Sequence, residues 1–183
     1  MKTLRRLLLG MAASLVLGAS AQAQADKPIR ILVGFPPGGS ADIIARLLAE
    51  KLPAQLGGQP VVVDNKPGAA GRIAIEQLKN AAPDGQTLIV MPSGPVVLFP
   101  HVFCKLNYDP VKDLAPISQL ASFQFCVVSG PKTGAKTMAE LVSKAKADPT
   151  TATFGSSGNG TVPHFLGLMV GEAAGIDFQH IPY

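Results

Sequence analysis

Tryptophan is absent from this sequence, tyrosine occurs twice, and aromatic residues together make up 5% of the chain. So few rings leave little to build a base-stacking platform from, and no basic stripe with interleaved aromatics occurs, which argues against nucleic acid as a partner. Histidine occurs three times, at His101, His164 and His180, each alone, and cysteine twice, at Cys104 and Cys126. No Cys/His spacing matches a zinc site, and no carboxylate or cysteine falls into ligand register with a histidine, so no metal is expected. Two cysteines permit one disulfide, or two small buried apolar side chains; sequence alone does not give their separation, and both readings stand. Beyond the first 25 residues no apolar run approaches the roughly 20 residues that span a bilayer.

Catalytic and nucleotide motifs are missing as well. "GSSGNG" has the wrong glycine spacing for a dinucleotide fingerprint, no Gly-Lys-Ser/Thr occurs, and no G-x-S-x-G elbow or favoured Ser/His/Asp trio is present. A catalyst would need a general base, for which only Asp42 and His164 are candidates, and no cofactor is expected.

What is present begins with an export signal. Lys2, Arg5 and Arg6 precede an apolar run from Leu7 to Leu17 and the small-residue stretch "GASAQAQA", the pattern of a cleaved secretory signal over residues 1–25. Cleavage removes three of the 16 basic residues and none of the 12 acidic ones, so the net charge falls from +4 to +1. The remaining chain, drawn from a sequence that is 47% apolar, is ample for a buried core.

From Lys27 onward strands and helices alternate across short breakers, the signature of a parallel sheet with crossover helices. "IRILV" (29–33), "VVVD" (61–64) and "TLIVM" (87–91) read as buried strands. Between them lie a helix carrying Ile43, Ile44, Leu47, Leu48 and Leu52, and one carrying Ile73, Leu78 and Ala81. After an irregular connection, strands are expected near 116–120, 123–128 and 151–154. A helix over 138–147 opens on a capping box of Thr137 and Glu140, and a further helix has Pro163 at its start and Gly175 at its stop. The fold class is therefore α/β with mostly parallel, doubly wound sheets; residues 26–105 form a first lobe and residues 106–183 a second.

Two turns share one design: a buried strand ends, glycines and hydroxyl residues follow, and a helix starts at once. Such a turn aims free N–H groups and the positive end of a helix at the carboxyl edge of the sheet, where an anion is favoured. The first comprises Phe35, Pro36, Pro37, Gly38, Gly39 and Ser40, with Asp42 in the helix; the second comprises Gly155, Ser156, Ser157, Gly158, Gly160 and Thr161, with His164. Ser93, after the third strand, points to the same edge.

The segments "KPIRILVGFPPGGSADIIARLLAEKL", "QPVVVDNKPGAAG", "APDGQTLIV", "LNYDPVKDLAPIS", "FGSSGNGTVPHFLG" and "HIPY", in this order, resemble the substrate-binding receptors of tripartite tricarboxylate transporters, the Bug receptors. The resemblance implies a two-lobed periplasmic binding protein, monomeric, that holds a small carboxylate between its lobes and delivers it to a membrane permease or presents it to a membrane sensor. It also implies that the two glycine-rich turns hold the ligand carboxylate with backbone groups. Members of that family continue past "HIPY", so the second lobe is expected to be incomplete here, and the chain to be marginally stable and to bind weakly.

Overall fold

The structure, a computed structural model, describes residues 27–183, so the signal peptide expected over residues 1–25 lies outside the described residues. Its first half is a three-stranded parallel sheet. Strand β1 (Ile29–Val33) pairs with β2 (Val61–Asn65) on one side and β3 (Thr87–Val90) on the other. Four of the five β1 residues are buried, as expected for a central strand covered on both faces. Helix α1 (Ser40–Gln55) links β1 to β2 and α2 (Arg72–Lys79) links β2 to β3. In the order β2-β1-β3 these crossovers run in opposite directions, and the right-handed rule then puts one helix on each face. The chain therefore parts at the carboxyl edge between β1 and β3, the position where such sheets hold ligands.

Ile31, Val33, Ala45 and Val90 form the buried centre of this unit, with Ile44, Leu48, Leu52, Val61 and Leu88 packed round them. Two short helices follow, α3 (Gly94–Val97) and α4 (Phe99–Val102). The connection beyond them is tied down where Tyr108, buried, donates its hydroxyl to the Pro95 carbonyl at 2.7 Å, and where Lys79 pairs with Asp113 at 2.9 Å.

A second parallel pair closes the described chain. Helix α5 (Met138–Ala147) occupies the expected span. Strand β4 (Thr153–Ser156) pairs with β5 (Gln179–Pro182) through the crossover helix α6 (Val162–Ala174). Gly175, at φ 64°, ends α6 while Ile176 donates back to the Gly171 carbonyl, as a glycine stop does.

Three expectations need correction. Residues 116–120 and 123–128 form no strand, and Ile117 and Val128 are about four-fifths exposed. A strand exists only against a neighbour that takes up its N–H and C=O groups, and neither segment has one among the described residues. The strand read at 151–154 begins two residues later, because Pro149–Thr151 turn as a 3₁₀ helix held by the Asp148 side chain. Cys104 and Cys126 are neither paired nor buried; both thiols are free and exposed.

Candidate functional site

The first glycine-rich turn follows β1 directly. Gly34 lies so near the next turn of chain that a Cβ on it would stand 2.7 Å from the Gly71 Cα, closer than real Cβ contacts come. Gly38 has φ 88°, a backbone state that costs other residues. Asp42 is 2% exposed, and both carboxylate oxygens are occupied within the protein. One accepts from the Gly38 N–H at 2.8 Å and from Arg46 Nε at 2.9 Å; the other accepts from Asn65 Nδ2, also at 2.9 Å. The Arg46 guanidinium, then the Gly38 N–H and Asn65, hold the carboxyl at about 2. Asp42 is therefore ionised at any working pH, and it faces the protein.

Above it, the N–H groups of Gly39, Ser40, Ala41 and Asp42 find no acceptor among the described residues, and α1 has no side-chain cap. Four unpartnered N–H groups at a helix start make a receptor for negative charge. Ser40 is exposed beside them. Phe35 packs inward on the core, while Pro36 and Pro37 form the exposed rim.

The second turn is built the same way but braced by its own side chains. Ser156 and Thr161 are buried. Thr161 Oγ1 donates to the Gly158 carbonyl at 2.7 Å, the Gly158 N–H reaches Ser156 Oγ at 3.3 Å, and the Gly160 N–H donates to His164 Nδ1 at 3.1 Å. Ser156 Oγ also meets His180 Nε2 at 2.7 Å, and the His164 and His180 rings stack with centroids 4.0 Å apart. Burial, and then the neighbouring His164, push His180 below its ordinary value. What stays free is again main chain: the N–H groups of Ser157, Asn159, Val162 and His164 have no acceptor among the described residues. The hydroxyls of Ser156 and Thr161, expected as ligand donors, are spent on the turn itself. Ser157 is exposed, Gly155 lies in β4 beside Tyr183, and Ser93, exposed, uses its carbonyl to start α3.

A third turn, "NKPGAAG" in the sequence, joins them. Gly68, Ala69, Ala70 and Gly71 all have positive φ, at 133°, 49°, 56° and 89°. Two consecutive alanines in the left-handed region cost about 1–2 kcal/mol each, so the surrounding structure must hold them there. One side of this turn meets the first glycine-rich turn, where Phe35 lies against Gly71. The other side meets the second: a Cβ added at Gly158 would lie 3.0 Å from the Ala70 Cβ. Phe103 fills the space that Gly160 leaves open, and Arg72 lies 4.2 Å over the Phe103 ring. The only signal for this wall was its composition, since nothing in "GAAG" announces that alanine takes a glycine conformation.

Comparison with known proteins decides the family. Residues 44–183 match the family described as "Tripartite tricarboxylate transporter family receptor". The chain belongs to that family. Among curated relatives, the "UPF0065 protein in gbd 5'region" of Cupriavidus necator is 42% identical over 94% of this chain and 54% of its own length. Thus the chain spans about half the length of the curated relatives it matches. Among solved structures, one described as a periplasmic transporter superposes with a TM-score of 0.72 at 37% identity, over 85% of this chain and 52% of the other. A second, MatC (Rpa3494) from Rhodopseudomonas palustris with bound malate, gives 0.71 at 28% identity, over 85% of this chain and 53% of the other. The fold is accordingly that of periplasmic binding proteins, covered here in part.

Proposed function

We propose that this chain is the ligand-gripping portion of a periplasmic solute receptor that takes a small carboxylate and hands it to the membrane permease of a tripartite transporter. The observation that carries the reading is the pair of uncapped helix starts, α1 and α6, each with free N–H groups, drawn together by the turn at Ala69–Ala70. One lobe, residues 26–105, supplies the first turn, and the other, residues 106–183, supplies the second. Gly39 and Ser40 on one side and Ser157 with the first turn of α6 on the other present the donors; Phe35, Pro36, Pro37 and Gly38 shape the first wall, and Gly155, Gly158 and Gly160 let the second approach. His164 supports its turn through Gly160. The secretory pattern read over residues 1–25 supports a periplasmic location.

Magnitude fixes how the grip works. A helix dipole contributes about 0.3–1 kcal/mol, up to ~2 when partly buried, whereas a micromolar ligand needs about 8 kcal/mol. Dipoles alone fall short, so several direct N–H bonds to one carboxylate, with water excluded between the two turns, supply the rest. Main-chain donors recognise the carboxylate group, and the MatC structure with malate supports that class of ligand. Titration calorimetry with mono-, di- and tricarboxylates against their neutral amides tests the reading. Saturable heat from at least one carboxylate, with its amide silent, is expected; equal binding of the amide, or no binding in the series, overturns it.

A further inference from the structure

The cluster beneath the first glycine-rich turn has more bonds than a helix cap needs. Asp42 accepts the Gly38 N–H, and Asn65, at the end of β2, donates from one Nδ2 both to Asp42 at 2.9 Å and to the Phe35 carbonyl at 3.1 Å. Arg46 closes the ring, with Nε on Asp42 at 2.9 Å and Nη2 on the Asn65 Oδ1 at 3.2 Å. Both ends of the Phe35–Gly38 turn are thereby held from below: its first carbonyl by Asn65 and its last N–H by Asp42. After Gly38, the next four N–H groups, from Gly39 to Asp42, find no acceptor among the described residues.

We infer that Asp42 and Asn65 are positioning residues for carboxylate binding: they fix the Phe35–Gly38 turn so that the N–H groups of Gly39 to Asp42 point outward together, and they do not touch the ligand themselves. The inference rests on the reading given under Proposed function. Asp42 has no oxygen to spare and is 2% exposed, so a ligand cannot reach it without unmaking the turn. Its charge is matched by Arg46 beside it, so the ligand meets a cradle of N–H dipoles over a neutral ion pair. Direction matters too: Gly38 needs an acceptor below it and Phe35 a donor, and an aspartate with an asparagine is the pair that supplies both while still bonding to each other.

The test is a swap. In Asp42→Asn the new amide can still accept from Gly38, but its Nδ2 then faces the Nδ2 of Asn65, donor against donor, and the turn is pushed out of register. Carboxylate affinity is expected to fall about tenfold or more, as for loss of a charge-assisted bond, and by a similar factor for every carboxylate that binds. Adding Asn65→Asp to the same chain restores an acceptor opposite the new donor but leaves the Phe35 carbonyl facing a carboxylate oxygen, so the double variant is expected to bind no better than Asp42→Asn. If Asp42→Asn does not fold, Asn65→Ala carries the same test, since it frees the Phe35 carbonyl and leaves Asp42 with Gly38 and Arg46. Affinity within about threefold of wild type for the single variants, or a double variant that regains wild-type affinity without a donor to the Phe35 carbonyl, overturns the inference. A wild-type chain that binds no carboxylate overturns instead the function on which it rests.

Discussion

His180 titrates against its surroundings. It is packed between Phe154 and His164, and burial, then His164, lower it from the ordinary 6.5. The unfolded chain therefore binds a proton more readily than the folded one over the range just below 6.5, and stability is lost as pH falls through it. The thermal midpoint is expected to drop between about pH 7.5 and about pH 5, and His180→Gln to flatten that drop; a midpoint indifferent to pH in the wild type contradicts it. Residue identities at the site were legible in the sequence, but their bonding was not. Asp42 could be seen to favour a helix start or a ligand, yet its three donors come from positions 38, 46 and 65, and only the fold gathers them.

At the level of elements, what is encoded locally was readable. Thr137 caps α5 by accepting from the Glu140 N–H at 3.2 Å, and the Glu140 carboxylate reaches back to the Lys136 N–H at 2.8 Å, one residue beyond the reciprocal bond a capping box predicts. Thr137→Ala is expected to cost about 1 kcal/mol, within 0.5–2, read as a shift of the urea midpoint with unchanged slope; no shift contradicts the cap. The three strands of the first sheet were legible because each is a short β-branched run bounded by breakers. Residues 116–128 carry a similar pattern and are not strands, since pairing is a property of two segments and sequence displays only one. The wall at Ala69–Ala70 escaped for the opposite reason: its conformation is imposed by Gly34 and Gly158 on either side, against the local preference of alanine.

For the whole molecule, two parallel units meet through small residues. Gly71, Gly158 and Gly160 leave the room into which Phe35, Ala70 and Phe103 fit, and this contact sets the first turn across from the second. Ile117, Phe123, Phe125, Val127 and Val128 lie exposed in the long connection between the units. The chain matches about half of its relatives' length, yet that half contains both uncapped helix starts. Under the proposed function these two starts grip one carboxylate with main-chain donors. An amide NMR titration with a small dicarboxylate tests this most directly, because it reads each N–H separately and detects weak binding. Saturable shifts are expected at Gly39 to Asp42 and at Ser157, Asn159 and Val162, following a single binding curve. Shifts confined to one turn, or appearing instead in the groove lined by Arg72, Glu76 and Lys105, would contradict it.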